Sequence, residues 1–405
     1  MLGDGLQGTL LAIRADLEGF STTVTGLIMS TFYIGFLLGS ILTPKLTQQV
    51  GHIRVFAALS ALASAAILLH ALFIEVPVWV ALRLLSGFCF AGLYIVAESW
   101  LNDRATNETR GKLLSLYMIV TYAGVGGGQL LLNLASPSEF PLFILTSVLI
   151  SVAVVPLLLS AGSPPKYQES VNISLLAVYR LSPLGIVSMF SVGLVTAAFF
   201  ALGPVYGQRM GLNVEYISYF MTAAVVGTVI LQAPIGVLSD RFDRRIVLTI
   251  TTLLTSVAAV LCVFASQIST NLLLLAVAIF GGLALPLYSV CIAYTNDHLN
   301  PNQMIAASGA LVLTSGLGAV VGPILIASFM DHFGEQAMFW VIAAIHALTG
   351  LFALYRMTVS RAVPLDKQGP YTSTAVHPSG SAIESVQQYN RAEAIDDSTQ
   401  AKIQR

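Results

Sequence analysis

Apolar residues run along this chain in long blocks separated by short polar breaks. The blocks lie at about 1–17, 24–45, 53–74, 77–98, 113–134, 141–160, 184–207, 215–238, 246–266, 271–292, 304–330 and 337–356. A bilayer core about 30 Å thick needs roughly 20 helical residues, so an uncharged apolar block of this length can cross it. Residues 246–296 contain no Asp, Glu, Lys or Arg, and that stretch is long enough for two crossings. Inside lipid the backbone must satisfy its own hydrogen bonds, which leaves helices or closed barrels. The apolar/polar alternation of barrel strands is missing. The pattern predicts an all-α membrane protein with twelve transmembrane helices.

The first block is short. Only 13 residues precede Arg14, about 20 Å of helix, so we expect the start of span 1 to be truncated. The polar break at 161–182 divides the spans six and six. It predicts an N-terminal bundle over 1–160, a central cytoplasmic loop over 161–182 and a C-terminal bundle over 183–356. Residues 357–405 are rich in Ser, Thr, Gln, Pro and mixed charge without an apolar period, and read as a disordered cytoplasmic tail.

Composition agrees. The 405 residues are 56% hydrophobic and 10% charged, against about 25% charged in soluble proteins. The net charge of -1 suggests no nucleic acid partner. Cys89, Cys262 and Cys291 lie in apolar blocks without disulfide or zinc spacing. The six histidines are scattered, which argues against an enzyme or a metal centre. No Gly-xxxx-Gly-Lys-Ser/Thr loop is present, so no nucleotide or other cofactor is expected. Lys45, Arg54, Arg104, Arg110, Lys112, Lys166, Arg180, Arg241, Arg244 and Arg245 fall on one side of the predicted topology, and only Arg14 and Arg209 on the other. That bias places both termini in the cytoplasm, as expected for a multi-pass inner membrane protein.

The two halves repeat one another. "LYIVAESWLND" (93–103) and "LYSVCIAYTND" (287–297) align at an offset of 194, which also maps Gly87 onto Gly281, Gly124 onto Gly318 and Gly128 onto Gly322. Near the second span of each half the offset is 192, and Gly35 maps onto Gly227. Two parallel six-helix repeats with a site near the midplane are a transporter architecture. The local motifs agree. "GVLSDRFDRR" (236–245), "RLLSGFCFAG" (83–92) and "GAVVGP" (318–323) resemble signatures of the major facilitator superfamily, and "ESWLN", "RGKLLSLYM" and "GGGQLLL" resemble its YcaD-like branch, whose substrates are poorly defined. Asp243 stands where the family signature usually has a second Gly, in a turn whose left-handed geometry Asp tolerates. Gln48 stands in place of the acid of the matching loop in the first half.

The resemblance implies the major facilitator fold, with two pseudo-symmetric bundles rocking about a central site. It also implies a secondary active transporter for a small-molecule substrate that works by alternating access, as a monomer in the lipid bilayer and coupled to protons. The alternative is a transporter-like sensor or scaffold without transport. Family members line the cavity with spans 1, 4, 7 and 10, so Asp4 is the candidate proton carrier. Arg83 cannot lose its proton, so it must be paired, hydrated or bound to an anionic substrate. Charged groups within a span are expensive and mark function. Gln7, Tyr122, Gln129, Gln232 and Tyr288 complete the candidate substrate or coupling set, although helix packing uses the same residue types. At the cytoplasmic mouth Glu98 is expected to pair with Arg54, Arg104 or Arg110. Asp240, with Gly236, Arg241, Arg244 and Arg245, should form the matching latch, its carboxylate facing the start of span 5 near Gly111.

Overall fold

The computed structural model describes residues 1–106, 109–159 and 174–373, excluding the side chains of Arg104, Arg110, Gly111, Pro301, Asn302, Ile305 and Ala306. Its described elements are helical. The N-terminal half holds α1 (Leu2–Leu17), α2 (Thr22–Val50), α3 (His52–Leu72), α4 (Val76–Arg104), α5 (Arg110–Leu130) and α6 (Pro141–Val152), the last extended by the short α7 (Val155–Leu158). A short α8 (Leu175–Leu181) precedes α9 (Pro183–Arg209), α10 (Val214–Arg241), α11 (Arg244–Ile268), α12 (Thr270–Ala284), α13 (Leu287–Asn296), α14 (Pro301–Phe333) and α15 (Ala337–Val359). Eleven of the predicted spans are long and apolar enough to cross a membrane. The remaining one, α1, has 16 residues. Predicted span 10 divides into α12 and α13 at Pro286, because proline removes a helix donor and clashes with the preceding turn.

The helices begin where the sequence offers caps. Ser21, Asn213 and Ser269 accept from the backbone N–H three residues on, and Asn300 with Gln303 forms a capping box. Apolar residues face outward along α11 at Ile246, Ile250, Leu254, Val257, Leu261, Phe264 and Ile268, while Thr251, Thr252 and Thr255 are buried. Spacings of three and four put the exposed set on one helix face. An outward apolar face with threonines inside is the pattern lipid selects.

The repeat reappears as packing. In the first half Gly35 lies on the Leu84 carbonyl and Gly87 on the Phe32 carbonyl, joining α2 to α4. In the second half Gly227 lies on Ala278 and Gly281 on Ala224, joining α10 to α12. Gly124 and Gly128 admit the start of α1 against α5, as Gly318 and Gly322 admit α9 against α14. Each glycine pair aligned in the sequence occupies the equivalent helix crossing. A Cβ at Gly87 would overlap backbone, whereas one at Gly8 meets nothing within 4 Å. Gly87→Leu should therefore cost about 3 kcal/mol and lower the thermal midpoint in detergent by several degrees. Gly8→Ala should leave it unchanged or raise it. Equal midpoints for both variants would contradict this account of the crossing.

Two expectations change. Residues 357–359 complete α15, and residues 360–373 return over the C-terminal bundle instead of leaving it as a free tail. Their backbone finds partners in a charged cluster, which composition could not reveal. Residues 374–405 lie outside the described residues, as do residue 160 and residues 161–173 of the central loop. Asp243 needs no left-handed geometry: at φ -53° it is the N-cap of α11 and accepts from Arg245 N–H.

Candidate transport site

Two adjoining cavities lie between the halves. The first encloses about 560 Å³ including its open mouth, and is lined by Asp4 and Thr9 of α1, Phe32 and Tyr33 of α2, Arg83 of α4, Gln129 of α5 and Phe200 of α9, among others. The second, about 510 Å³, is bounded by Tyr33, Phe36, Thr196, Tyr288 and Ser315, among others. Tyr33 lines both.

Asp4 and Arg83, 79 positions apart in the sequence, thus face one space. Tyr94 donates its hydroxyl to Asp4 Oδ2 at 2.6 Å. Arg83 is 5% exposed and lies over the Phe32 ring, 4.4 Å from its centroid. It forms no ion pair among the described residues, and its Nε has no hydrogen-bond partner there. A guanidinium carries five N–H donors, and a buried charge without a hydrogen-bonded counterpart is costly. The cation–π contact offsets part of that cost.

The uncharged candidates divide. Gln129 accepts from Thr9 Oγ1 and donates to Gly5 O at 3.0 Å, so it ties α5 to α1. Tyr288 lines the second cavity with a buried hydroxyl that lacks a partner. Gln7 is 1% exposed with both amide atoms unpartnered, but it lines neither cavity. Tyr122 and Gln232 sit nearer the basic loops, beside each other and Tyr371.

At the basic face, Glu98 is buried and accepts from Tyr117 Oη at 2.7 Å. Arg54 is exposed, and the Arg104 and Arg110 side chains lie outside the described residues. Arg241 is exposed. Arg244 is 1% exposed and sits between Asp297 at 2.6 Å and Asp240 at 2.9 Å. Burial lifts Asp297 to about 6, against the pull of Arg244 and the Gly369 N–H, so it remains mostly ionised at neutral pH. Arg245 pairs with Asp243 at 2.8 Å and donates to Ser360 O at 2.7 Å. In this conformation Asp240 is held by Arg244 and the Tyr371 N–H, rather than by the start of α5. Asp297 escaped the sequence reading, although the repeat aligned it with Asp103.

The opposite face is tied shut. Arg209 bridges Asp16 at 3.1 Å and Asp331 at 3.7 Å. Asp331 also accepts from Thr22 N–H at 3.1 Å, Thr23 N–H at 2.8 Å and the Thr23 hydroxyl at 2.6 Å. A carboxylate at the first turn of α2 meets free N–H donors and the positive helix end. Asn133 of the first half donates to Ser218 of the second at 2.8 Å. Apart from Arg209, counted as a charge on this side, none of these residues stood out in the sequence, because the closure joins separate helix ends. Asp331→Ala should weaken it by about 1–2 kcal/mol, discounted for partial exposure. Spin labels at Leu17 and Glu335 should then gain a longer-distance component. An unchanged distribution would mean that the carboxylate does not hold this face.

The comparisons with known proteins follow this geometry. The family model described as the Major Facilitator Superfamily matches residues 1–228 and 211–382. An uncharacterized MFS-type transporter, YcaD, from Escherichia fergusonii is 27% identical over 346 residues, covering 85% of this chain and 89% of the relative. YcaD of an Escherichia coli strain matches with the same identity and coverage. Among solved structures, the nucleoside transporter NupG is similar with TM-score 0.70 and 14% identity, over 87% of this chain and 96% of that one. A bacterial homolog of the human lysosomal transporter Spinster, in an inward-facing and occupied conformation, gives TM-score 0.71 and 13% identity, over 91% of this chain and 96% of its own. These two likenesses concern the fold alone. With its repeated six-helix halves and a matching family model along nearly all its spans, this chain belongs to the Major Facilitator Superfamily and is a multi-pass membrane protein of that transporter family.

Proposed function

We propose that the protein is a secondary active transporter of the inner membrane that moves a small solute with an anionic group by alternating access, coupled to protons through Asp4. The observation that carries this reading is Arg83, buried at a cavity wall, with no ion pair among the described residues and a free Nε–H. A carboxylate or phosphate-like group would complete it with charge-assisted hydrogen bonds. Asp4 on the same cavity supplies the coupling. Ionised, it balances Arg83 and repels an anion. Protonated, it leaves the guanidinium charge for the cargo. Proton and anion then favour each other's binding by the same factor.

The excess of Lys and Arg on the basic face assigns that face to the cytoplasm, with both termini. The closed opposite face and the cavities beneath it fit a monomer whose site faces inward. A comparison of metabolites in cells and medium, with the gene deleted and restored, tests the transport reading. We expect a small organic acid or phosphate compound to redistribute when the gene is lost. Redistribution of cationic or neutral solutes alone would overturn the cargo class, and no redistribution in any growth condition would overturn transport itself.

A further inference from the structure

The segment after α15 is held where cargo would leave. Ser360 O accepts from Arg245, and Gly369 O from Arg244. Gly369 N–H donates to Asp297 Oδ1 at 3.0 Å and Tyr371 N–H to Asp240 Oδ1 at 2.7 Å. Between these donors stands Pro370, which has no N–H to satisfy, so every backbone donor of Gly-Pro-Tyr is used. The carboxylates that grip the segment are the two that flank buried Arg244. The charged cluster of the basic loops is therefore also a docking site for the chain's own C-terminal segment.

What the segment delivers is Tyr371. Its ring lies against Gly236 of α10, where any side chain would displace it. Its hydroxyl is buried beside Gln232 and Ser289, and Tyr122 of the first half stands nearby. The ring thus reaches polar groups of both halves on the basic side of the cavities.

We propose that residues 360–371 form a reversible plug of the basic-face mouth, in which Tyr371 closes the route between the cavity and the cytoplasm and holds the halves apart until the segment undocks. While docked, the ring obstructs both the exit of cargo and the approach of the halves that an outward-facing state requires. Gly236, inside α10, has a role in this device as the seat of the tyrosine.

The test needs no cargo. In full-length protein with Cys89, Cys262 and Cys291 replaced by alanine, a single Ser289→Cys would be labelled in detergent by a water-soluble maleimide. We expect slow labelling with the native segment and at least tenfold faster labelling with Tyr371→Ala. Gly369→Pro removes the donor to Asp297 and should also accelerate it. Tyr371→Phe keeps the ring that fills the mouth, and should label no faster than the native residue. Equal rates in all four proteins would overturn the plug, as would acceleration by Tyr371→Phe equal to that by Tyr371→Ala. Matching thermal midpoints in the four proteins separate plug release from unfolding. The readout reports a physical route, so its failure would leave the transport reading standing, and failure to transport would leave the plug standing.

Discussion

Arg83→Ala should reduce transport of the native cargo by roughly a hundredfold while the protein stays folded. Hydrogen bonds to a charged partner contribute about 1.5–3 kcal/mol, and loss of a two-pronged contact worth about 3 kcal/mol corresponds to about a hundredfold. The substitution removes a buried charge that has no close ion pair among the described residues, so the thermal midpoint should not fall and should rise slightly. This opposition of effects distinguishes a ligand-binding arginine from a structural one. A structural Arg83 would lose stability and transport together. Arg83→Lys keeps the charge but not the planar fork, so uptake should recover only partly, with a raised KM. Full uptake by Arg83→Ala would contradict the cargo assignment.

Asp4→Asn should abolish accumulation driven by a pH gradient while exchange of cargo across the membrane persists. One coupled proton supports about tenfold accumulation per pH unit, since a unit is worth 1.36 kcal/mol. The amide resembles a carboxyl that never gives up its proton. The variant should bind cargo in a manner independent of pH and equilibrate it without concentrating it. In proteoliposomes, counterflow of labelled cargo should survive and uphill uptake should vanish. Gradient-driven accumulation equal to that of the native protein would remove Asp4 from the coupling step.

The fold was largely legible because lipid makes the pattern simple. Uncharged blocks predicted the spans, and the glycines that revealed the repeat turn out to sit at equivalent helix crossings of both halves. The apolar pattern did not show that Pro286 would divide a span. The site was less legible. Asp4 and Arg83 could be singled out by the cost of burying charge, and the structure brings both to one cavity. Their surroundings could not be read: Tyr94 beneath Asp4 and Phe32 beneath Arg83 are ordinary aromatic residues in the sequence. The closure by Asp16, Arg209 and Asp331 depends on three helix ends, distant in the sequence, meeting. Residues 360–371 looked like unstructured chain because polar composition says nothing of a docking site elsewhere. Gln129 shows the reverse error of emphasis, since its amide is engaged in joining α1 to α5.

The central claim is that anion and proton occupy the cavity together. The most direct measurement is the pH change when the cargo identified from the metabolite comparison is added to purified protein in weakly buffered detergent solution. The account predicts that the native protein takes up protons as cargo binds, approaching one per molecule, and that Asp4→Asn takes up none although it binds. Cargo binding with no proton uptake, or with proton release, in the native protein would contradict it.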